Sequence, residues 1–211
     1  MATIRHDAPD VLEQIAAALQ AGGAVVLPTD TVYGLAALPG DPDAAAQLFA
    51  LKGRGDQAPL AVLCADAEQA LALTALPVAP GVVAVAAAWW PGPLTLVLPR
   101  RAGLQLHLGE PTSTVGVRVP DDALLREVAR RVGPIAATSA NRHGEPPATT
   151  AAAARAALGS GVALVVDRGS SRDHASTVID ATRTPWRILR EGPIPAAAVL
   201  ATAGAASPDD R

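Results

Sequence analysis

Lys52 is the only lysine of this 211-residue chain, and an arginine follows it two positions later in Lys52-Gly53-Arg54. The chain has 17 basic residues, and the other 16 are arginines. The two cation types do different work: an ammonium is a compact, mobile point charge, whereas a guanidinium is a rigid donor fork. A site that holds several anionic groups at once can use both. The plain alternative for any Lys-x-Arg is a solvated basic loop at a helix end, where the helix dipole alone favours cations. Here the pair follows Pro28-Thr29-Asp30-Thr31-Val32-Tyr33-Gly34-Leu35, which contains the only tyrosine. Further along, Thr114, Arg118, Thr138, Ser139, Asn141, Ser176, Thr177 and Arg190 place hydroxyls, an amide and arginines at the ends of apolar runs. Arginine grips carboxylate and phosphate oxygens bidentately, and hydroxyls complete the shell. Such a site catalyses by positioning and charge stabilisation, without a protein nucleophile.

Other constellations are missing or weak. There is no Gly-x-x-x-x-Gly-Lys-Ser/Thr phosphate loop and no Gly-x-Gly-x-x-Gly. One cysteine and four scattered histidines (His6, His107, His143, His174) do not suit a structural zinc site. Ser139 and His143 could pair as nucleophile and base, but no Gly-x-Ser-x-Gly elbow surrounds the serine.

The elements that must position these residues alternate between helix and strand. Apolar spacing predicts a helix over 9–21, ended by Gly22-Gly23, and a buried strand over 24–27 that stops at Pro28. Asp41-Pro42 is an N-cap followed by proline at the first helical position, which opens a helix to about Leu51. Further helices are expected after Asp66, over 81–90, after Asp121-Asp122, after Thr149-Thr150 and over 196–203. Strands are expected at 60–64, 94–98, 115–119, 135–138, 162–166, 177–179 and 187–189, and a frayed tail from about 205 to 211. The mixture predicts an α/β sheet domain with a cleft at the strand ends.

Composition narrows the function classes. The length suits one domain spanning 1–211. Half of the residues are apolar but only 2% are aromatic, so the core is built from small side chains. A formal net charge of −3 gives no support to a polybasic nucleic-acid binder. Cys64 sits in the apolar run Leu60–Cys64 and reads as a small buried hydrophobe. No signal-peptide core or membrane-length apolar run is present, so a soluble, cytoplasmic protein without membrane contact is expected.

Six segments, in order, resemble the YrdC/TsaC family of threonylcarbamoyl-AMP synthases: PTDTVYGL (28–35), KGR…PL (52–60), WPGPLTLVL (90–98), STVGVRVP (113–120), TSANRHGEPP (138–147) and STVID…ILREG (176–192). The resemblance implies a YrdC-like twisted mixed sheet flanked by helices, in the short single-domain form. It implies that L-threonine, bicarbonate and ATP become threonylcarbamoyl-adenylate, pyrophosphate and water, for tRNA threonylcarbamoyladenosine formation by downstream transferase proteins. Position by position, Lys52 and Arg54 would be catalytic and face the phosphates. Thr31, Arg118, Ala137 and Ser176 would contact threonine, with Tyr33 either walling that pocket or packing in the core. Thr114, Ser139, Asn141 and Arg190 would contact ATP. Magnesium would arrive on the ATP phosphates, with no metal ligand from the protein.

The chain departs from the family pattern at Gly55 and Ala58, where relatives often carry proline and a polar residue, and at Leu63 and Thr138, where some relatives carry histidine and proline. Two other readings stay open. One is a structured-RNA-binding module of the same fold, with Arg126, Arg130 and Arg131 as a helical basic patch and weak tRNA binding. The other is a paralogue that carbamoylates or adenylates another small molecule.

Overall fold

Short apolar runs of Val, Leu, Ile and Ala, punctuated by Gly and Pro, become short strands rather than helices wherever they carry no 3.6-residue pattern. The computed structural model describes residues 2–53, 59–171 and 174–205. Ten strands among them form one mixed sheet: β1 (Ala2–Arg5), β2 (Val25–Leu27), β3 (Gly34–Ala37), β4 (Ala61–Leu63), β5 (Leu94–Pro99), β6 (Thr114–Arg118), β7 (Ile135–Ser139), β8 (Leu164–Asp167), β9 (Thr177–Asp180) and β10 (Arg187–Arg190). Their order is β1-β8-β2-β3-β7-β4-β6-β5-β9-β10. The segments of interest come together through non-local pairing: β3 runs antiparallel to β7 with Gly34 opposite Ser139, and β4 runs parallel to β6 with Leu63 opposite Arg118.

The helices are α1 (Val11–Gln20), α2 (Pro42–Lys52), α3 (Ala67–Leu71), α4 (Pro80–Trp89), α5 (Ala123–Val132), α6 (Ala151–Leu158) and α7 (Ala196–Ala205). Their starts follow the expected caps. Asp41 accepts from the Asp43 and Ala44 amides, Asp66 from Gln69, Asp122 from Leu125 and Thr150 from Ala153. Each such cap satisfies donors that the first helical turn leaves orphaned. Gly53 closes α2 in the left-handed conformation at φ 63°, which glycine adopts without Cβ strain.

Two differences from the expected elements stand out. β1 and β3 are strands that no periodicity announces, and Lys52 is the last residue of α2 instead of lying beyond it. Arg54 and residues 206–211 of the expected tail lie outside the described residues.

Two apolar clusters sandwich the sheet. On one face Val26, Leu35, Val62, Leu96, Val117, Ala136 and Val165 meet side chains of α2, α4, α6 and α7. On the other, Val25, Leu27, Ala36, Leu63, Ile135, Ala137 and Val166 meet Ile15 and Leu19 of α1 and Leu125 and Val128 of α5. That second helical layer covers β8, β2, β3, β7 and β4. Among the described residues, β6, β5 and β9 contribute no side chain to the cluster with α1 and α5, and there the sheet face borders a cavity.

Candidate functional site

A cavity of about 330 Å³ occupies that uncovered face. Its floor follows the two-residue side-chain period of strands. Ala61 and Leu63 of β4, Thr95 and Val97 of β5, Thr114, Gly116 and Arg118 of β6, Ala137 and Ser139 of β7 and Val178 of β9 all line it. The intervening Val62, Leu94, Leu96, Val117 and Ala136 belong to the opposite core. Gly116 lies at the centre of this floor without a side chain, so a Cβ there would rest 3.6 Å from Thr95 Cγ2 and 3.9 Å from Val97 Cγ2. One end is apolar, with Pro59, Leu60, Leu108 and Pro111, and the other carries the arginines.

Arg118, the last residue of β6, is buried and held on three sides. Its Nε donates to Gly92 O at 3.2 Å, Nη1 to Thr31 Oγ1 at 3.1 Å, and Nη2 to Asp30 Oδ1 at 2.5 Å. Thr31 sits in the loop between β2 and β3, and its hydrogen bonding has a fixed direction. Thr29 Oγ1 donates its one proton to Val32 O at 2.7 Å, so in the 2.9 Å contact between the two hydroxyls Thr31 is the donor. Thr31 Oγ1 therefore meets the cavity as an acceptor.

Arg190 closes the other side. Nε donates to Ser176 O at 2.9 Å and Nη2 to Ser176 Oγ at 3.0 Å, and Ser176 Oγ shares a proton with Thr95 Oγ1 at 2.9 Å. Burial, and after it the like charge of Arg118, lower the Arg190 pKa from its ordinary value. Both guanidiniums line the same cavity. Gly192 makes this packing fit: a Cβ there would fall 2.4 Å from Thr177 N and 2.6 Å from Ala175 O.

Lys52 corrects the solvated-loop alternative, because it is only 3% exposed. Its Nζ donates to Ser139 O at 2.7 Å, Asn141 Oδ1 at 3.0 Å and Ser139 Oγ at 3.3 Å. The ammonium stands behind Ser139, which lines the cavity, while Lys52 and Asn141 do not line it themselves. Asn141 cannot turn away, since its Nδ2 donates to Arg142 O and Glu145 O at 2.8 and 2.7 Å.

Of the residues singled out from sequence, Thr31, Thr114, Arg118, Ala137, Thr138, Ser139, Ser176 and Arg190 line the cavity. Tyr33 does not, and the choice between pocket wall and core goes to the core. The ring is fully buried, its hydroxyl donates to Gly169 O at 2.7 Å and accepts from Arg168 N at 3.1 Å, and burial raises its pKa. Three residues at the site carried no role in the sequence reading: Asp30, Thr95 and Arg168. Thr95 was findable, because it alternates with Leu94 and Leu96 and so must face away from their core. Arg168 donates through Nη2 to Thr29 O at 2.7 Å and through Nη1 to Asp122, and nothing local foretells this. The helical basic patch is neutralised: Arg126 pairs with Asp121, Arg130 with Glu127 and Arg131 with Glu13.

The Sua5/YciO/YrdC family model, described as telomere recombination, matches residues 17–192. The chain belongs to this family. Among Sua5/YciO/YrdC relatives, a Mycobacterium tuberculosis protein provisionally named threonylcarbamoyl-AMP synthase is 41% identical over 179 residues, 84% of this chain and 82% of its own. The Vibrio parahaemolyticus threonylcarbamoyl-AMP synthase is 33% identical over 87% of this chain and the whole of its own. The crystal structure of Pyrococcus abyssi Sua5 complexed with L-threonine superposes with a TM-score of 0.88 at 32% identity. It covers 96% of this chain, which spans 60% of the Sua5 length. Escherichia coli YciO shares the fold at a TM-score of 0.78 and 22% identity. No helix of the described residues is long and apolar enough to cross a membrane.

Proposed function

We propose that this protein is a threonylcarbamoyl-AMP synthase, converting L-threonine, bicarbonate and ATP into threonylcarbamoyl-adenylate, pyrophosphate and water. The observation that carries this reading is the pair of guanidiniums, Arg118 and Arg190, set with Thr31 and Ser176 in one cavity of a Sua5/YciO/YrdC chain. Relatives over most of its length bear the synthase name, and a structural neighbour at 32% identity holds L-threonine.

In this reading Arg118 takes the threonine carboxylate, and Thr31 Oγ1, whose own proton is spent, accepts from the ligand. Ala137 meets threonine through its backbone. Arg190, Ser139 and Thr114 face the triphosphate, and Ser176, touching Arg190, stands where the two subsites adjoin. That adjacency is what the chemistry requires. The threonine amine adds to bicarbonate carbon with loss of water, and the resulting carbamate oxygen then displaces pyrophosphate from the α-phosphorus.

Neither step needs a protein nucleophile; the arginines stabilise charge that builds on the carbamate and the phosphates. Lys52 acts from behind, fixing Ser139 and Asn141 and adding positive potential. Arg54 keeps the phosphate-facing role its motif implies. Magnesium would come bound to the triphosphate and neutralise charge in the displacement. The product would pass to tRNA-modifying transferase proteins.

The test is pyrophosphate release from ATP and bicarbonate by purified protein, with and without L-threonine. Release that depends on threonine, and is weaker with serine, is expected. Equal release without amino acid, or none with any, would overturn the proposal. Leu63 lines the cavity where some relatives carry histidine, so a panel of other amino acids belongs in the same assay.

A further inference from the structure

Asp30 is the carboxylate that pairs with a cavity arginine, yet it does not line that cavity itself. Its side chain is 11% exposed and that of Arg118 is 7% exposed. Oδ1 accepts from Arg118 Nη2, while Oδ2 is buried with no hydrogen-bond partner among the described residues. A buried ion pair with a half-satisfied carboxylate is a poor device for stability, because desolvation consumes most of the attraction. Its presence beside the site calls for another reason.

A count of donors supplies one. A guanidinium carries five N–H groups. In Arg118 three are committed, one each to Gly92 O, Thr31 Oγ1 and Asp30 Oδ1. One N–H on each terminal nitrogen is left without a partner among the described residues, and the residue lines the cavity. Two donors on adjacent nitrogens match a carboxylate. Without Asp30 on Nη2, nothing charged among the described residues would hold that nitrogen, and the fork would lose its aim at the carboxylate.

We propose that Asp30 is a positioning residue: by fixing Arg118 Nη2 it aims the guanidinium at the carboxylate of the amino acid substrate. This rests on the assignment of threonine to the Arg118 side of the cavity. The loop bearing Asp30 does not depend on Asp30 for its place. Arg168 holds Thr29 O, and the Tyr33 hydroxyl ties the loop to Arg168 N and Gly169 O. The Asp30→Asn variant therefore keeps the fold and loses the charge.

The probes are L-threonine and L-threonine amide, compared by titration calorimetry on wild type, Asp30→Asn, Asp30→Ser and Asp30→Glu, each checked by near-ultraviolet circular dichroism. Wild type should prefer threonine over its amide by roughly tenfold or more, as for a charge-assisted pair. Asp30→Asn should shrink that ratio to about threefold or less and raise the KM for threonine about tenfold, with the KM for ATP held within about twofold. Asp30→Glu should recover discrimination. Asp30→Ser serves the same comparison where Asp30→Asn does not fold. A folded variant lacking the Asp30 charge but keeping the wild-type ratio would overturn the proposal, as would Asp30→Glu behaving like Asp30→Asn. Absence of threonine binding by wild type overturns the synthase reading itself, which separates the two failures.

Discussion

Replacing Lys52 by methionine tests whether its ammonium is a structural clip as well as a source of charge. Methionine matches the length of the stem and removes the three donors. Ser139 O and Asn141 Oδ1, now 2.7 and 3.0 Å from Nζ, then become buried acceptors without that partner. Each such loss costs about 1–3 kcal/mol. Asn141 cannot compensate by flipping its amide, because Nδ2 is committed to two carbonyls. Relief from burying an ammonium offsets part of the sum, so a net destabilisation of about 2–4 kcal/mol is expected. For a chain of this size that lowers Tm by roughly 5–15 °C. Urea unfolding followed by the fluorescence of Trp89, Trp90 and Trp186 measures the first figure. Threonine-dependent pyrophosphate release, assayed well below the variant's Tm, measures the second effect, a fall of about a hundredfold or more as Ser139 loses its anchor and the site loses a charge. A variant within about 0.5 kcal/mol of wild type would refute the clip. The 3% exposure of Lys52 is what makes this change costly, where a solvated lysine could be replaced with little loss.

Three further outcomes follow from the same geometry. Gly116→Val should fold, since its Cβ meets only ordinary contacts at 3.6 Å and beyond, but its methyls fill the cavity floor; calorimetry should show ligand binding weakened by about tenfold or more, and unchanged affinity would place the ligand elsewhere. Gly192→Ala should push the chain off Ser176 and cost about 1–3 kcal/mol as an overpacked contact, with a raised KM for ATP as Arg190 loses its seat; a thermal melt and steady-state kinetics check both. Burial pushes the Cys64 thiol up to about 12, so the thiolate fraction is negligible at pH 8 and native protein should resist iodoacetamide there, while urea-unfolded protein reacts fully, as followed by intact mass.

The helices were legible because their signals are local. Asp41-Pro42, Asp66, Asp122 and Thr150 announce their starts, and all four side chains cap as expected. The strand β3 was not, because Gly34-Leu35-Ala36-Ala37 is buried on both faces and shows no alternation, and its alanines and leucine favour helix in isolation. Most of the polar cavity-lining residues were identifiable from their types at strand ends, whereas apolar ones such as Val97 and Val178 were not. Tyr33 was ambiguous because motif position cannot say which face a side chain takes. Its neighbour Gly34 lines the cavity, so the alternating Tyr33 belongs to the opposite core. The partnership of Asp30 with Arg118 spans 88 residues, and only the assembled sheet brings the two together.

The electrostatics of the site run against those of the chain. With a net charge of −3, the protein as a whole repels anions weakly. Yet Arg118, Arg190 and Lys52 gather at one place, and Asp30 is the carboxylate found paired among them. Such a local excess needs burial to matter, since exposed charges are screened within about 10 Å at ordinary ionic strength. The fold supplies the burial by leaving β6, β5 and β9 bare of α1 and α5, so that a low-dielectric floor of Val97, Val178 and Gly116 lies beneath the cations. The arginines of α5, Arg126, Arg130 and Arg131, are each paired with a carboxylate and add little to that field. Anion selection in this protein is therefore a property of where the second helical layer stops. A ligand with one carboxylate and several phosphates is the kind of anion whose parts match the separate donors it meets there.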